Sequence, residues 1–185
     1  MSQNASAKIR TVALVGHGAA GKTTLAESLL AATGAIASRG TVEKGNTVCD
    51  FDPVEKDFGH SLQSAVCSVE WTGTQIHLID TPGYPDFAGQ AIGALAAVDT
   101  ALVVINAQTG IELSTERMYH LAGQRGLCRM IVINRIDADN VAELAEADFA
   151  FIAVDHGPSR GVIARFLVDQ RIPFIDVGIG VDKRA

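Results

Sequence analysis

A glycine-rich stretch, Gly16-His17-Gly18-Ala19-Ala20-Gly21-Lys22-Thr23, joins a short apolar, β-rich run (residues 9–15) to a run of helix formers (residues 23–32). No other feature limits the possible folds as much. Gly16 and Gly21 free the backbone to curl and turn its N–H groups inward. A helix that begins at the end of such a loop adds its positive dipole end. A loop of this spacing between strand and helix is built to cradle phosphates, and it belongs to layered α/β architectures. Lys22 is then placed to bridge β- and γ-phosphates, and the Thr23 hydroxyl to meet Mg²⁺.

The remaining pattern agrees with that architecture. Residues 65–71 and 74–79 alternate as two strands around Thr72-Gly73, a hairpin signal. Residues 101–105 and 127–133 are continuous apolar runs suited to buried parallel strands, and residues 88–98 and 114–124 read as helices. Between residues 35 and 63 no period is visible, and a stretch that long between two elements is expected to be functional or disordered. The expected fold is a three-layer α/β/α domain of the P-loop NTPase type, mostly parallel, with one antiparallel edge hairpin. It spans residues 9–139, after a disordered polar tail at 1–8.

Two more segments stand where ligands gather in open α/β sheets, at strand ends. Asp80-Thr81-Pro82-Gly83 offers a carboxylate for Mg²⁺, while Gly83 can lend its backbone N–H to a γ-phosphate. Asn134-Arg135-Ile136-Asp137 ends the strand at 127–133, and a carboxylate there accepts two hydrogen bonds from the guanine N1–H and 2-amino groups. Adenine has neither donor, so it leaves buried acceptors unpaired. The expected ligands are therefore GTP or GDP with Mg²⁺. The expected contacts are Gly16, His17, Gly18, Ala19, Ala20, Gly21, Lys22, Thr23, Thr24, Asp80, Gly83, Asn134, Arg135 and Asp137, with Lys22 and Gly83 in catalysis.

Charge and cysteine usage exclude other classes. Fifteen basic against 21 acidic residues give a net charge of −6, no footprint for free nucleic acid. Cys49, Cys67 and Cys128 are scattered, which speaks for reduced thiols rather than a disulfide framework or zinc site. No run of about 18 apolar residues is present and no signal segment opens the chain, so a cytoplasmic protein without membrane contact is expected.

Residues 8–139 resemble the GTP-binding domain of translational GTPases of the elongation factor G kind, closest to the elongation-factor-G-like branch. Besides the three segments, Cys49-Asp50-Phe51-Asp52 leading to Gly59-His60-Ser61-Leu62 is similar to that family's first switch. The resemblance implies Mg²⁺ contact by Ser61, where the family carries a threonine, together with Thr23 and Asp80. It also implies a mobile switch over 35–63 and the ribosome as a partner, through later domains that this sequence lacks. Tyr84 stands where the family has a histidine that orients the attacking water, and a phenol cannot supply an imidazolium at neutral pH. Ala19 replaces a loop aspartate, Phe58 an arginine, and Arg135 a lysine. Slow or partner-dependent hydrolysis is the expectation, with Tyr84 as the catalytic position in question.

Beyond residue 139 the pattern changes. Residues 149–154, 159–170 and 172–177 read as a Rossmann-like βαβ unit, with His156-Gly157-Pro158 as a turn, and their Val, Ile and Phe runs suit a parallel neighbour in the main sheet. Residues 140–180 resemble a segment of ubiquitin-activating-like adenylating enzymes, with Asp155 at the matching aspartate. The chain reads as two partial sequences joined. Three readings stay open: a GTP-binding domain, a fragment of an ATP-dependent adenylating enzyme, or a non-catalytic interaction fragment.

Overall fold

The structure, a computed structural model, describes residues 8–136, 141–146, 150–152 and 157–176. The tail at 1–7 and the expected residues Asp137 and Asp155 lie outside them. Five strands form one sheet in the order β2-β3-β1-β4-β5. They are β1 (Ile9–Val15), β2 (Ala65–Trp71), β3 (Thr74–Asp80), β4 (Thr100–Asn106) and β5 (Cys128–Asn134). β3, β1, β4 and β5 run parallel, and β2 alone is antiparallel at one edge. At the hairpin turn Thr72 and Gly73 take φ of 49° and 76°, the doubly positive pair whose twist matches the flanking strands.

Period-two alternation along the central strands builds two cores. Leu14, Leu78, Leu102 and Val104 face α1 (Lys22–Ala32) and meet Leu25 and Leu30 there. Ala13, Val15 and Val103 face the other way, toward α3 (Ala88–Ala94) and α4 (Leu113–Gln124), and pack on Leu95, Met118 and Ala122. The expected three layers are present. α3 stops at Ala94, short of the expected residue 98, while Leu95 and Val98 beyond it stay buried. Glycines at 89 and 93 weaken a helix this short.

The unpatterned segment at 35–63 is not featureless. A 3-10 turn covers Val42–Lys44, and a six-residue helix, α2, covers Pro53–Phe58. Asp52 caps α2 by accepting from the Val54 N–H at 2.8 Å, Pro53 opens it, and Gly59 closes it at φ 68°. One and a half turns are too few for a helical period to show, although all three punctuating residues are legible.

Near the C-terminus β6 (Ala150–Ile152), α5 (Gly157–Asp169) and β7 (Phe174–Asp176) form the expected βαβ unit, with β6 and β7 parallel. Gly157 and Pro158 belong to the first turn of α5, where proline is tolerated, rather than to a separate turn. Among the described residues the unit does not extend the main sheet; β6 and β7 pair only with each other. It docks by side chains instead. Ile163, Leu167 and Ile172 share a buried cluster with Ile136, Ile133 and Ala107 at the end of β4 and β5.

Candidate functional site

The central position of β1 decides where the site lies. Leu14 is in register with Asp80 on β3, and Asn106 with Asn134 across β4 and β5, so the glycine loop, Asp80 and Asn134 emerge at one edge. Gly16 sits at φ 145° with the Val104 carbonyl against it, and Gly21 at φ 89° with the Asn134 amide against it. No side chain fits either place. Ala19 holds φ 59° without being glycine, a strained residue on the loop's rim.

Lys22 is buried, and its ammonium donates to the carbonyls of Gly16 at 3.1 Å and His17 at 2.8 Å. Burial pushes its pKa down to about 8, partly opposed by the Asp80 carboxylate. A Cβ on Gly83 would strike both the Lys22 ammonium and the His17 carbonyl. That close approach lets the backbone of the Asp80–Gly83 turn reach the floor of the loop. The Thr81 hydroxyl fixes the turn by donating to the Leu14 carbonyl at 2.6 Å.

Beside Lys22 two hydroxyls meet two carboxylates. Thr23 Oγ1 donates to Asp80 Oδ2 at 2.6 Å and lies 3.2 Å from Ser61 Oγ, which donates to Asp50 Oδ1 at 2.6 Å. The second oxygens, Asp80 Oδ1 and Asp50 Oδ2, are buried without a hydrogen-bond partner. Orphaned anionic oxygens of this kind fit a divalent cation with oxygen ligands. Among the described residues no group of three or more His, Cys, Asp or Glu stands ready for a metal, so the donor set here mixes hydroxyls with carboxylates.

Burial raises the pKa of Asp80 to about 7, against the hydrogen bond from Thr23 and the charge of Lys22, and burial likewise raises Asp50. A carboxyl with a folded pKa above its unfolded one binds more protons when folded, so its contribution is full below about 4 and is lost as pH rises through about 7. The chain without nucleotide is expected to lose a few kcal/mol of stability over that window. Urea titrations between about pH 5 and 8 check it; a flat profile, or a rise toward the alkaline end, contradicts it.

The structure brings most expected residues to one cavity. Gly18, Ala19, Gly21, Lys22, Thr23 and Thr24 line it from the loop and α1. Ser61, Gly83, Tyr84 and Arg135 line it from the facing segments. The Tyr84 ring lies against Gly18, where any added side chain would meet it. Asp80 sits beneath Thr23, and Gly16 and Ala20 are buried in the loop's fold. Asn134 lies behind the loop and ties it to β5, its Nδ2 donating to the Ala20 carbonyl at 2.9 Å.

His17 stands apart from these cavity-lining side chains. Its imidazole points away from the cavity: Nδ1 lies 2.9 Å from Thr115 Oγ1, and Nε2 lies 3.2 Å from Thr109 Oγ1 and 3.4 Å from Glu112. Thr115 also accepts from the His17 backbone N–H at 3.0 Å. The side chain braces the loop against α4, and burial lowers its pKa.

Four polar residues were not singled out from the sequence. Glu27, fully buried on α1, accepts from the N–H groups of Gly40 at 2.9 Å and Val48 at 2.6 Å. Glu55, buried on α2, accepts from those of Leu62 at 2.8 Å and Gln63 at 3.0 Å. Asp50 holds Ser61, and His60 lines the cavity beside Tyr84. Nothing local distinguishes Glu27 or Glu55 from other acidic residues; only Asp50 and His60 fell inside a recognised segment.

The elongation factor Tu GTP-binding domain family matches residues 7–155. The elongation factor G-like protein of Mycobacterium tuberculosis is 41% identical over 134 residues, covering 72% of this chain and 19% of that protein. The tetracycline resistance protein TetW of Butyrivibrio fibrisolvens is 40% identical over 134 residues, 72% of this chain and 21% of that protein. A crystal structure from Thermus thermophilus superposes with a TM-score of 0.70 at 39% identity, over 83% of this chain and 24% of the other. The bacterial selenocysteine-specific elongation factor shares the fold, with a TM-score of 0.56 at 19% identity, over 91% of this chain and 25% of the other. The chain thus spans about a fifth of the length of the curated relatives it matches. The adenylating-enzyme resemblance is not borne out, since the matched family runs on through β6 to Asp155.

Proposed function

The chain belongs to the elongation factor Tu GTP-binding domain family, and from that premise we propose that it binds GTP and GDP in the cavity between the glycine loop and the Asp80–Gly83 turn. The observation that carries the reading is the convergence of Lys22, Thr23 and Gly83 on one cavity above an orphaned Asp80 oxygen. Residues 9–139 form the nucleotide-binding unit in this reading, and 140–185 an extension of it.

Loop amides surround the β-phosphate, and Lys22 leaves its loop carbonyls to meet the β- and γ-oxygens. The Gly83 N–H faces the γ-phosphate. Asn134 holds the loop against the guanine-reading segment, Arg135 stacks on the base, and Asp137 accepts from its edge. Thr23, Ser61 and Asp80 would hold Mg²⁺, with Asp50 orienting Ser61. When bound, the ion neutralises phosphate charge. Hydrolysis to GDP and phosphate is slow unaided, or depends on a partner, with a phenol at position 84. A cytoplasmic location and the ribosome as partner complete the proposal, following the kind of protein its relatives are. Among the described residues no helix is long and apolar enough to cross a membrane.

Displacement of a fluorescent GDP analogue by GDP, GTP or ATP tests the reading. Displacement by both guanine nucleotides and not by ATP is expected; ATP preference or no binding at all rejects it. Tyr84→His is expected to raise single-turnover hydrolysis by about tenfold or more, through an imidazole against Gly18. An unchanged rate would locate the slow step elsewhere.

A further inference from the structure

Phosphoryl transfer to water needs a group that fixes the attacking water in line with the γ-phosphate. The side chain at position 84 that faces this space is a phenol, but an imidazole stands directly beside it. His60 lines the same cavity as Lys22, Ser61 and Gly83. Its ring centroid is 4.5 Å from that of Tyr84, tilted by 46°, with Phe58 at 5.9 Å and Phe87 at 6.2 Å. The histidine is therefore held in an aromatic cage at the mouth of the site, half-buried.

Its orientation is set from both ends. The His60 backbone N–H donates to the Glu55 carbonyl at 3.3 Å at the close of α2, just after Gly59 reverses the chain. The ring Nδ1 lies 3.3 Å from the Ser61 carbonyl. A carbonyl only accepts, so Nδ1 is the donor in this contact, which makes Nε2 the acceptor nitrogen of the neutral ring. The Glu55 carbonyl also accepts from the Gly59 N–H at 2.8 Å and its carboxylate from Leu62 and Gln63, so the chain is held before and after His60.

We propose that His60 is the water-orienting residue of this site, its Nε2 accepting a hydrogen bond from the water that attacks the γ-phosphate. The inference rests on the GTP reading given above. The water oxygen bonds to the γ-phosphorus as the bond to the β–γ bridging oxygen breaks. The bridging oxygen leaves with the electron pair on GDP, and both water protons depart with the inorganic phosphate. His60 takes no proton; it aims the lone pair of the water. Tyr84 keeps the ring in place by stacking, which separates the roles of the two residues.

Single-turnover phosphate release by the full chain, with GTP and GDP affinities from calorimetry, tests this on His60→Phe and His60→Gln. Phenylalanine keeps the stack on Tyr84 and removes the acceptor. Its rate is expected to fall by about a hundredfold with GTP affinity unchanged, while glutamine, which retains an acceptor oxygen, recovers part of the loss. Wild-type rate in His60→Phe overturns the proposal, as does wild-type turnover no faster than GTP in buffer. Affinity lost together with rate assigns His60 to binding and also overturns it. If wild-type binds no guanine nucleotide, the GTP reading itself fails, and calorimetry alone distinguishes that case.

Discussion

Lys22→Ala is expected to weaken GTP binding by about a hundredfold to a thousandfold while leaving the fold intact. The side chain is buried with its ammonium on the Gly16 and His17 carbonyls, inside the glycine loop. Charge-assisted hydrogen bonds are worth roughly 1.5–3 kcal/mol each, and two phosphates are reached. Each 1.4 kcal/mol is about tenfold in affinity. Stability should change little, because the variant also removes an ammonium whose pKa burial has already lowered to about 8. Lys22→Arg should fail to rescue: Gly83 backs directly on the ammonium and leaves no room for a planar guanidinium. Calorimetry with GTP at fixed magnesium, beside thermal melts, reads both parts. A variant that melts normally and binds as wild type would remove Lys22 from the site.

Asp137→Asn should erase the preference for guanine while the phosphate contacts survive. One carboxylate accepting from two donors on the base edge separates guanine from adenine in the proposed site. An amide in its place offers one acceptor and an unwanted donor. Sites that rely on buried hydrogen bonds discriminate by up to about 10⁴–10⁵, and a loss of about a hundredfold or more in the GTP-to-ATP affinity ratio is expected. The reading comes from the sequence and the position of Asn134 at the end of β5, since Asp137 lies outside the described residues. Competition of GTP and ATP against a fluorescent guanine nucleotide measures the ratio. Retained selectivity would transfer base reading to another group.

The parts of the fold that were legible rest on short-range signals. β1 occupies residues 9–15 as expected, and the Thr72-Gly73 turn pairs β2 with β3 as the expected hairpin. Both follow from local chemistry: alternation and glycine placement act within a few residues. The elements that were missed or misjudged depend on distance. α2 is too brief to carry a period, and α3 ends at Ala94 although Leu95 and Val98 beyond it stay in the core. The C-terminal strands look able to extend the main sheet, yet they pair with each other, and Ile163 and Leu167 of α5 pack on Ile133 of β5 and Ile136 just beyond it. Apolar runs record that a strand is buried, not which neighbour buries it.

The site divides along the same line. The expectation of a phosphate-holding loop rests on residues 16–23 alone, because glycine spacing, one lysine and one hydroxyl act through the backbone that carries them. Tertiary structure decided what surrounds that loop. It turned His17 outward onto Thr115 and Glu112, set Asp50 against Ser61, and used Glu27 and Glu55 to hold the segment between residues 40 and 63. It also placed His60 on Tyr84, 24 positions further along the chain. A hydrogen bond between residues far apart in sequence leaves no local pattern, since any acidic or imidazole side chain looks alike until folding chooses its neighbour.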